Sequence, residues 1–123
     1  DDGKLYALDA VSGQERWDKP FQTGDAIWAT PLVADGVVYV PSMDKKVYAL
    51  DAASGEEKWH FKADAGLAST PVLADGTLLV GGMDRRLHAI DVASHEEKWH
   101  FKAGNWFWTR PLVLEDTVYA GSL

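Results

Sequence analysis

The residues of this chain best suited to hold a ligand are three tryptophans and an arginine. Trp106, Trp108 and Arg110 stand at alternate positions, and Trp28 occupies the equivalent place in an earlier copy of the same segment. Alternate residues of an extended backbone share a side. The trios Ala26-Trp28-Thr30, Gly66-Ala68-Thr70 and Trp106-Trp108-Arg110 can therefore be compared directly. The third is a ladder of two indoles and a guanidinium where its neighbour has only small residues. Aromatic faces beside a cation suit a planar anion, a peptide carboxylate or an extended strand. The competing role is packing, with the indoles wedged between elements and Arg110 paired to a carboxylate.

Other chemistry is poorly represented. The chain has no cysteine, so disulfides, thiolate metal sites and a cysteine nucleophile are excluded. There is no His-x-x-x-His pair, glycine-rich phosphate loop or Gly-x-Ser-x-Gly elbow. The carboxylates lie at turns, and no pair stands out as an acid/base couple. His60 and His100 recur at equivalent positions and read as structural, whereas His88 replaces Tyr6 and Tyr48 and reads as a core or interface substitution. A net charge of −7 lacks the basic footprint that nucleic acid requires. No apolar run approaches the ~20 residues that span a bilayer. The chain begins at Asp1 inside a repeat, which reads as an excised segment or a processed product.

The elements that must position these residues come from a repeat. Leu5-Tyr6-Ala7-Leu8-Asp9 leading to Trp17 recurs as Val47 to Asp51 with Trp59 and as Leu87 to Asp91 with Trp99. After each Trp come a proline (Pro31, Pro71, Pro111), an apolar run, an acidic turn and another apolar run. Asp44 to Asp84 is one period of 40 residues, and the first unit is two longer near Asp18-Lys19-Pro20. Short β-branched runs with turns every eight to twelve residues predict four strands per unit. Strand A is expected at 26–34, 67–74 and 106–114, and strand B at 37–40, 77–80 and 117–120. Strand C is expected at 4–9, 46–51 and 86–91, and strand D at 14–17, 56–61 and 96–101. Asp35-Gly36 and Asp75-Gly76 predict tight A–B hairpins. Four antiparallel strands in about 40 residues make a blade of an all-β propeller. The predicted layout is a C–D half-blade (1–23), blades at 24–63 and 64–103, and an A–B half-blade (104–123).

In this layout the B–C turns carry Lys45, Lys46, Arg85 and Arg86 to one rim and the acidic A–B and C–D turns to the other. One rim is thus expected to be basic. Three blades are too few for a ring. Two copies would supply six, so a ring-closing homodimer is predicted if these residues are the whole molecule.

The motif Ala-x-Asp-x-x-Ser-Gly-x-x-x-Trp resembles the pyrroloquinoline-quinone-like (PQQ-like) β-propeller repeats of quinoprotein alcohol dehydrogenases and BamB-type outer-membrane assembly lipoproteins. It matches at Ala7, Asp9, Gly13 and Trp17 and at Ala49, Asp51, Gly55 and Trp59. The third copy keeps Ala89, Asp91 and Trp99 but has His95 in place of glycine. The resemblance implies that each Trp docks on the next blade's C–D corner, with its indole N–H bonded to backbone there. Trp17 would dock at Gly55 and Trp59 at His95, while Trp99 would need the Gly13 corner of another copy. It also implies an extracytoplasmic, non-catalytic scaffold for a protein or peptide partner. The enzymatic alternative is a fragment of a quinone-dependent dehydrogenase with PQQ and calcium, whose ligands cannot be mapped onto this sequence. A repeat module without a function of its own is the third reading.

Overall fold

A computed structural model describes residues 2–123; Asp1, the first residue of the predicted C–D half-blade, lies outside them. Twelve strands form four antiparallel sheets. β1 (Lys4–Leu5) pairs with β2 (Phe21–Gln22), and β11 (Leu112–Leu114) pairs with β12 (Thr117–Tyr119). Between them lie two four-stranded sheets in sequential order. One is β3 (Leu32–Ala34), β4 (Val37–Pro41), β5 (Lys46–Asp51) and β6 (Glu57–Lys62). The other is β7 (Val72–Ala74), β8 (Thr77–Gly81), β9 (Arg86–Asp91) and β10 (Glu97–Lys102). These are propeller blades, about three in all, and the all-β expectation is met.

Local chemistry sets the turns. Asp35 and Gly36 have φ of 52° and 75°, and Asp75 and Gly76 of 47° and 72°. Two consecutive positive φ values give the turn whose twist matches a two-residue hairpin, and the register Ala34↔Val37 and Ala74↔Thr77 follows. At the C–D corners Asp9, Asp51 and Asp91 each accept two backbone N–H bonds through Oδ1, from Ala53 (2.9 Å) and Ser54 (3.0 Å) in the case of Asp51. Those amide bonds hold all three carboxyls below their usual pKa range.

Blades stack face to face, so the central strands are buried on both sides. In β5, Val47 and Ala49 face the core between the two full blades, with Leu67, Leu78, Val80 and Ile90. Tyr48 and Leu50 point the opposite way, into a second core with Trp17, Val38 and Val40. Strict period-two alternation therefore coexists with an almost continuously apolar sequence.

Three strand predictions need correction, one of them strand C of the first unit, expected at 4–9 and formed only at Lys4–Leu5. Strand A begins only after its proline, at Leu32, Val72 and Leu112, so residues 26–31, 67–71 and 106–111 are approach segments rather than strands. In the second and third units an amide of this approach bonds to the preceding blade's B–C turn instead of a strand ladder: Leu67 N–H to Ser42 O (3.0 Å) and Phe107 N–H to Gly82 O (3.2 Å). In the first unit the segment 14–17 forms only an isolated bridge, Leu8 with Glu15. The two extra residues move the paired strand down to Phe21–Gln22.

Candidate functional site

The approach segments bring the tryptophans together. Phe107 is buried and tied on both sides, by its N–H to Gly82 O and by a bridge to Ser122. With this anchor turned inward, Trp106 and Trp108 turn outward and lie nearly parallel, ring centroids 6.1 Å apart at 22°. Trp28 approaches Trp108 as well, centroids 5.8 Å apart, although a whole blade separates them in sequence. The equivalent residue of that intervening blade is Ala68, small and buried, which leaves room for the two indoles to meet. Trp28, Trp106 and Trp108 are 52%, 38% and 40% exposed. Arg110 is exposed as well and forms no ion pair among the described residues.

The predicted trios are only partly assembled. Trp106 and Trp108 share a side as expected, but Ala26 is buried and its carbonyl accepts the Met43 N–H, so it does not continue a ladder with Trp28. The pairing of Trp28 with Trp108 across a blade has no sequence signal except the small Ala68 between two tryptophans at the same repeat position.

The basic rim also needs correction, because it is mixed. Lys45 and Arg85 hold left-handed turn positions, φ 79° and 67°, and their carbonyls accept the N–H groups of Ala63 and Ala103. The carboxylates Asp44 and Asp84 lie in the same turns, accepting the N–H of Lys46 and of Arg86 (both 3.0 Å). Arg86 is paired with Asp64 at 2.5 Å, and the Lys46 ammonium lies 5.8 Å from the Tyr48 ring centroid. The B–C turns thus carry acid as well as base, and the D–A loop adds Asp64.

Geometry at the corners depends on the residue in the glycine position. Trp17 is buried, its Nε1–H donates to Ala52 O at 2.9 Å, and its ring lies flat against Gly55. A Cβ at Gly55 would fall 2.5 Å from Trp17 Cδ2. His95 has that Cβ, and there Trp59 stacks on the imidazole instead, centroids 4.6 Å apart at 10°. The Trp59 indole N–H has no protein acceptor among the described residues, unlike the backbone bond expected for it. His95 also holds φ at 66°, a conformation that costs a side chain about 1 kcal/mol. His95→Gly is therefore expected to raise the urea midpoint and to shift Trp59 fluorescence to shorter wavelength as the indole closes on the corner. An unchanged spectrum would show that the imidazole is not what holds Trp59 off the peptide. Trp99 and Phe101 remain exposed beside an apolar hollow lined by Leu87, Phe107, Val118 and Ala120.

Among the described residues no three His, Asp or Glu side chains converge as metal ligands. His60 and His100 each face a glutamate of their own strand, Glu57 and Glu97. Among the described residues no helix is long and apolar enough to cross a membrane.

Four-stranded antiparallel blades built on this 40-residue repeat, each with its Asp-capped corner followed by Trp, define a PQQ-like β-propeller. Comparison with known proteins narrows this. The family model described as outer membrane protein assembly factor BamB matches residues 1–70 and 62–122, and the chain belongs to that family. The crystal structure of BamB from Moraxella catarrhalis superposes with a TM-score of 0.85 and 31% identity, covering 98% of this chain and 38% of that protein. The quinohemoprotein alcohol dehydrogenase ADHIIG from Pseudomonas putida HK5 gives a TM-score of 0.70 and 25% identity, over 83% of this chain and 18% of the enzyme. The chain thus spans well under half of either relative. Among curated protein sequences none matches significantly.

Proposed function

We propose that this chain forms part of a non-catalytic, extracytoplasmic β-propeller scaffold that binds a protein or peptide partner on the Trp28–Trp108–Trp106 surface, with Arg110 receiving a carboxylate. One observation carries the reading: three adjacent indoles are kept roughly half in water by a rigid, anchored backbone. Exposed aromatic surface of this kind, rimmed by polar groups, is characteristic of interaction sites. An extended peptide with aromatic or aliphatic side chains and a free carboxylate fits the chemistry. Membership of the BamB family supports both the scaffold role and the compartment.

The test uses short peptides carrying Phe or Tyr, with either a free or an amidated C-terminus, read by intrinsic fluorescence. Free-carboxylate peptides should bind, and Trp108→Ala with Arg110→Ala should weaken them by about tenfold or more, ~1.4 kcal/mol, at a nearly unchanged melting midpoint. A large loss of midpoint would instead identify the indoles as packing wedges. Pyrroloquinoline quinone with calcium, titrated alongside, would overturn the non-catalytic reading if it bound stoichiometrically with redox activity. The exposed Trp99 and Phe101 favour a further blade stacking on that face. A second copy completing a six-bladed ring is one candidate for it, and a folded monomer in solution would sink that candidate.

A further inference from the structure

The 64–103 blade contains a chain of titratable groups unrelated to the tryptophan surface. His88 lies on β9 with its side chain 2% exposed. Its Nε2 is 2.8 Å from Asp84 Oδ2, in the B–C turn, and its Nδ1 is 3.0 Å from Glu97 Oε2, on β10. The other Glu97 oxygen meets His100 Nδ1. A neutral imidazole has one N–H and so can donate to only one carboxylate, leaving a lone pair against the other. An imidazolium donates to both. The neighbouring blade makes the comparison plain: there the equivalent residue is Tyr48, whose hydroxyl donates to Asp44 Oδ2 (2.5 Å), while Glu57 is left to His60. Tyr→His at this repeat position replaces a neutral single donor with one that reaches both the turn and the outer strand.

We propose that His88 is a buried imidazolium clasping Asp84 to Glu97, so that the cohesion of the 64–103 blade depends on pH. The charged and titratable groups around it are Asp84 from the turn, Glu97 and His100 from β10, and Arg86 from β9 itself. Asp64 of the preceding loop pairs with Arg86. β6 contributes the uncharged Phe61 ring at 5.5 Å, and β8 presents Val80 opposite His88. Burial works against the charged ring, but the hydrogen bonds and charges of Asp84 and Glu97 outweigh it, and the His88 pKa is raised. For the two carboxyls burial is likewise opposed, by His88 at Asp84 and by His100 and His88 at Glu97, and both pKa values are lowered.

The signs follow by linkage. A raised histidine stabilises fully below its ordinary value of about 6.5, and that contribution is lost as pH rises through the folded pKa. The lowered carboxyls stabilise above their ordinary range, and theirs is lost as pH falls through their folded values. The clasp is therefore strongest between these limits and weakens on the alkaline side.

The experiment is a ¹⁵N-detected titration of the histidine rings of the intact protein, with urea midpoints across the same pH range for wild type, His88→Tyr and His88→Gln. Both His88 nitrogens should carry protons at neutral pH, and His88 should lose its proton above the ordinary imidazole value of about 6.5, with the wild-type midpoint falling as that proton is lost. His88→Tyr should flatten the fall, since tyrosine already serves at position 48. A singly protonated His88 at neutral pH, or parallel pH profiles for wild type and His88→Tyr, would overturn the proposal. If neither variant folds, the ring titration of the wild type decides alone.

Discussion

Trp17→Ala is expected to lower stability by about 3–5 kcal/mol. The indole belongs to the core shared with Val38, Val40, Tyr48 and Leu50, and it is the principal apolar plug between the first half-blade and the next sheet. Its removal opens a cavity and strips the Ala52 carbonyl of its donor. Gly55→Ala approaches the same contact from the other side. Position 55 has φ of 78°, so a methyl there costs about 1 kcal/mol in the backbone alone. The methyl would also lie 2.5–2.9 Å from three carbons of the Trp17 ring. The two substitutions should therefore be strongly non-additive. Once the indole is absent, alanine at 55 meets only its backbone strain. Urea denaturation of the two single variants and the double variant measures this. Additive losses would show that ring and corner do not touch energetically.

Gly81→Ala should cost about 1–3 kcal/mol, and for a different reason. Its φ is not in the left-handed region, so the backbone tolerates a side chain, but a Cβ would fall 2.4 Å from Phe107 Cβ and 3.1 Å from Phe107 O. Those atoms cannot swing away as a flexible side-chain end would. Shortening Phe107 to alanine should not rescue the variant, because the conflict is with atoms alanine keeps. Relief requires moving the 106–108 backbone or breaking the Gly81 N–H bond to Ser69 Oγ (3.2 Å). Moving that backbone carries Trp106 and Trp108 with it, so peptide binding should weaken along with the melting midpoint. Retained binding at a lowered midpoint would show that the aromatic surface is not anchored through Phe107. The preceding blade accommodates the same junction differently, with Pro41 in place of Gly81 and Leu67 in place of Phe107.

Much of the architecture is legible in the sequence because it is decided by neighbours along the chain. Asp35-Gly36 makes its hairpin, Asp51 caps its own corner, and the runs at 46–51 and 86–91 become β5 and β9 with the bounds that their alternation implies. Strand A was legible only in part. A strand ends where its hydrogen-bond partner ends, and in the second and third units Leu67 and Phe107 bond to a turn of the preceding sheet, which no local pattern records. The charged rim was misread for the same kind of reason. Lys45, Lys46, Arg85 and Arg86 are visible as a basic recurrence, yet the partner of Arg86 is Asp64, twenty-two residues earlier.

Repetition and turn chemistry by themselves determined that this chain builds four-stranded blades, since period, patterning and positive-φ sites are properties of consecutive residues. They also marked Trp28, Trp106, Trp108 and Arg110 as departures from the repeat. Only the tertiary structure decided what those departures do. Whether Trp28 reaches Trp108 depends on the size of Ala68 in the blade between them, and whether Trp59 lies on a peptide or an imidazole depends on one Cβ at His95. The link from His88 to two carboxylates is of the same kind, because it joins a turn to an outer strand. Such contacts are set by distances between separately folded elements, which the order of residues along the chain does not contain.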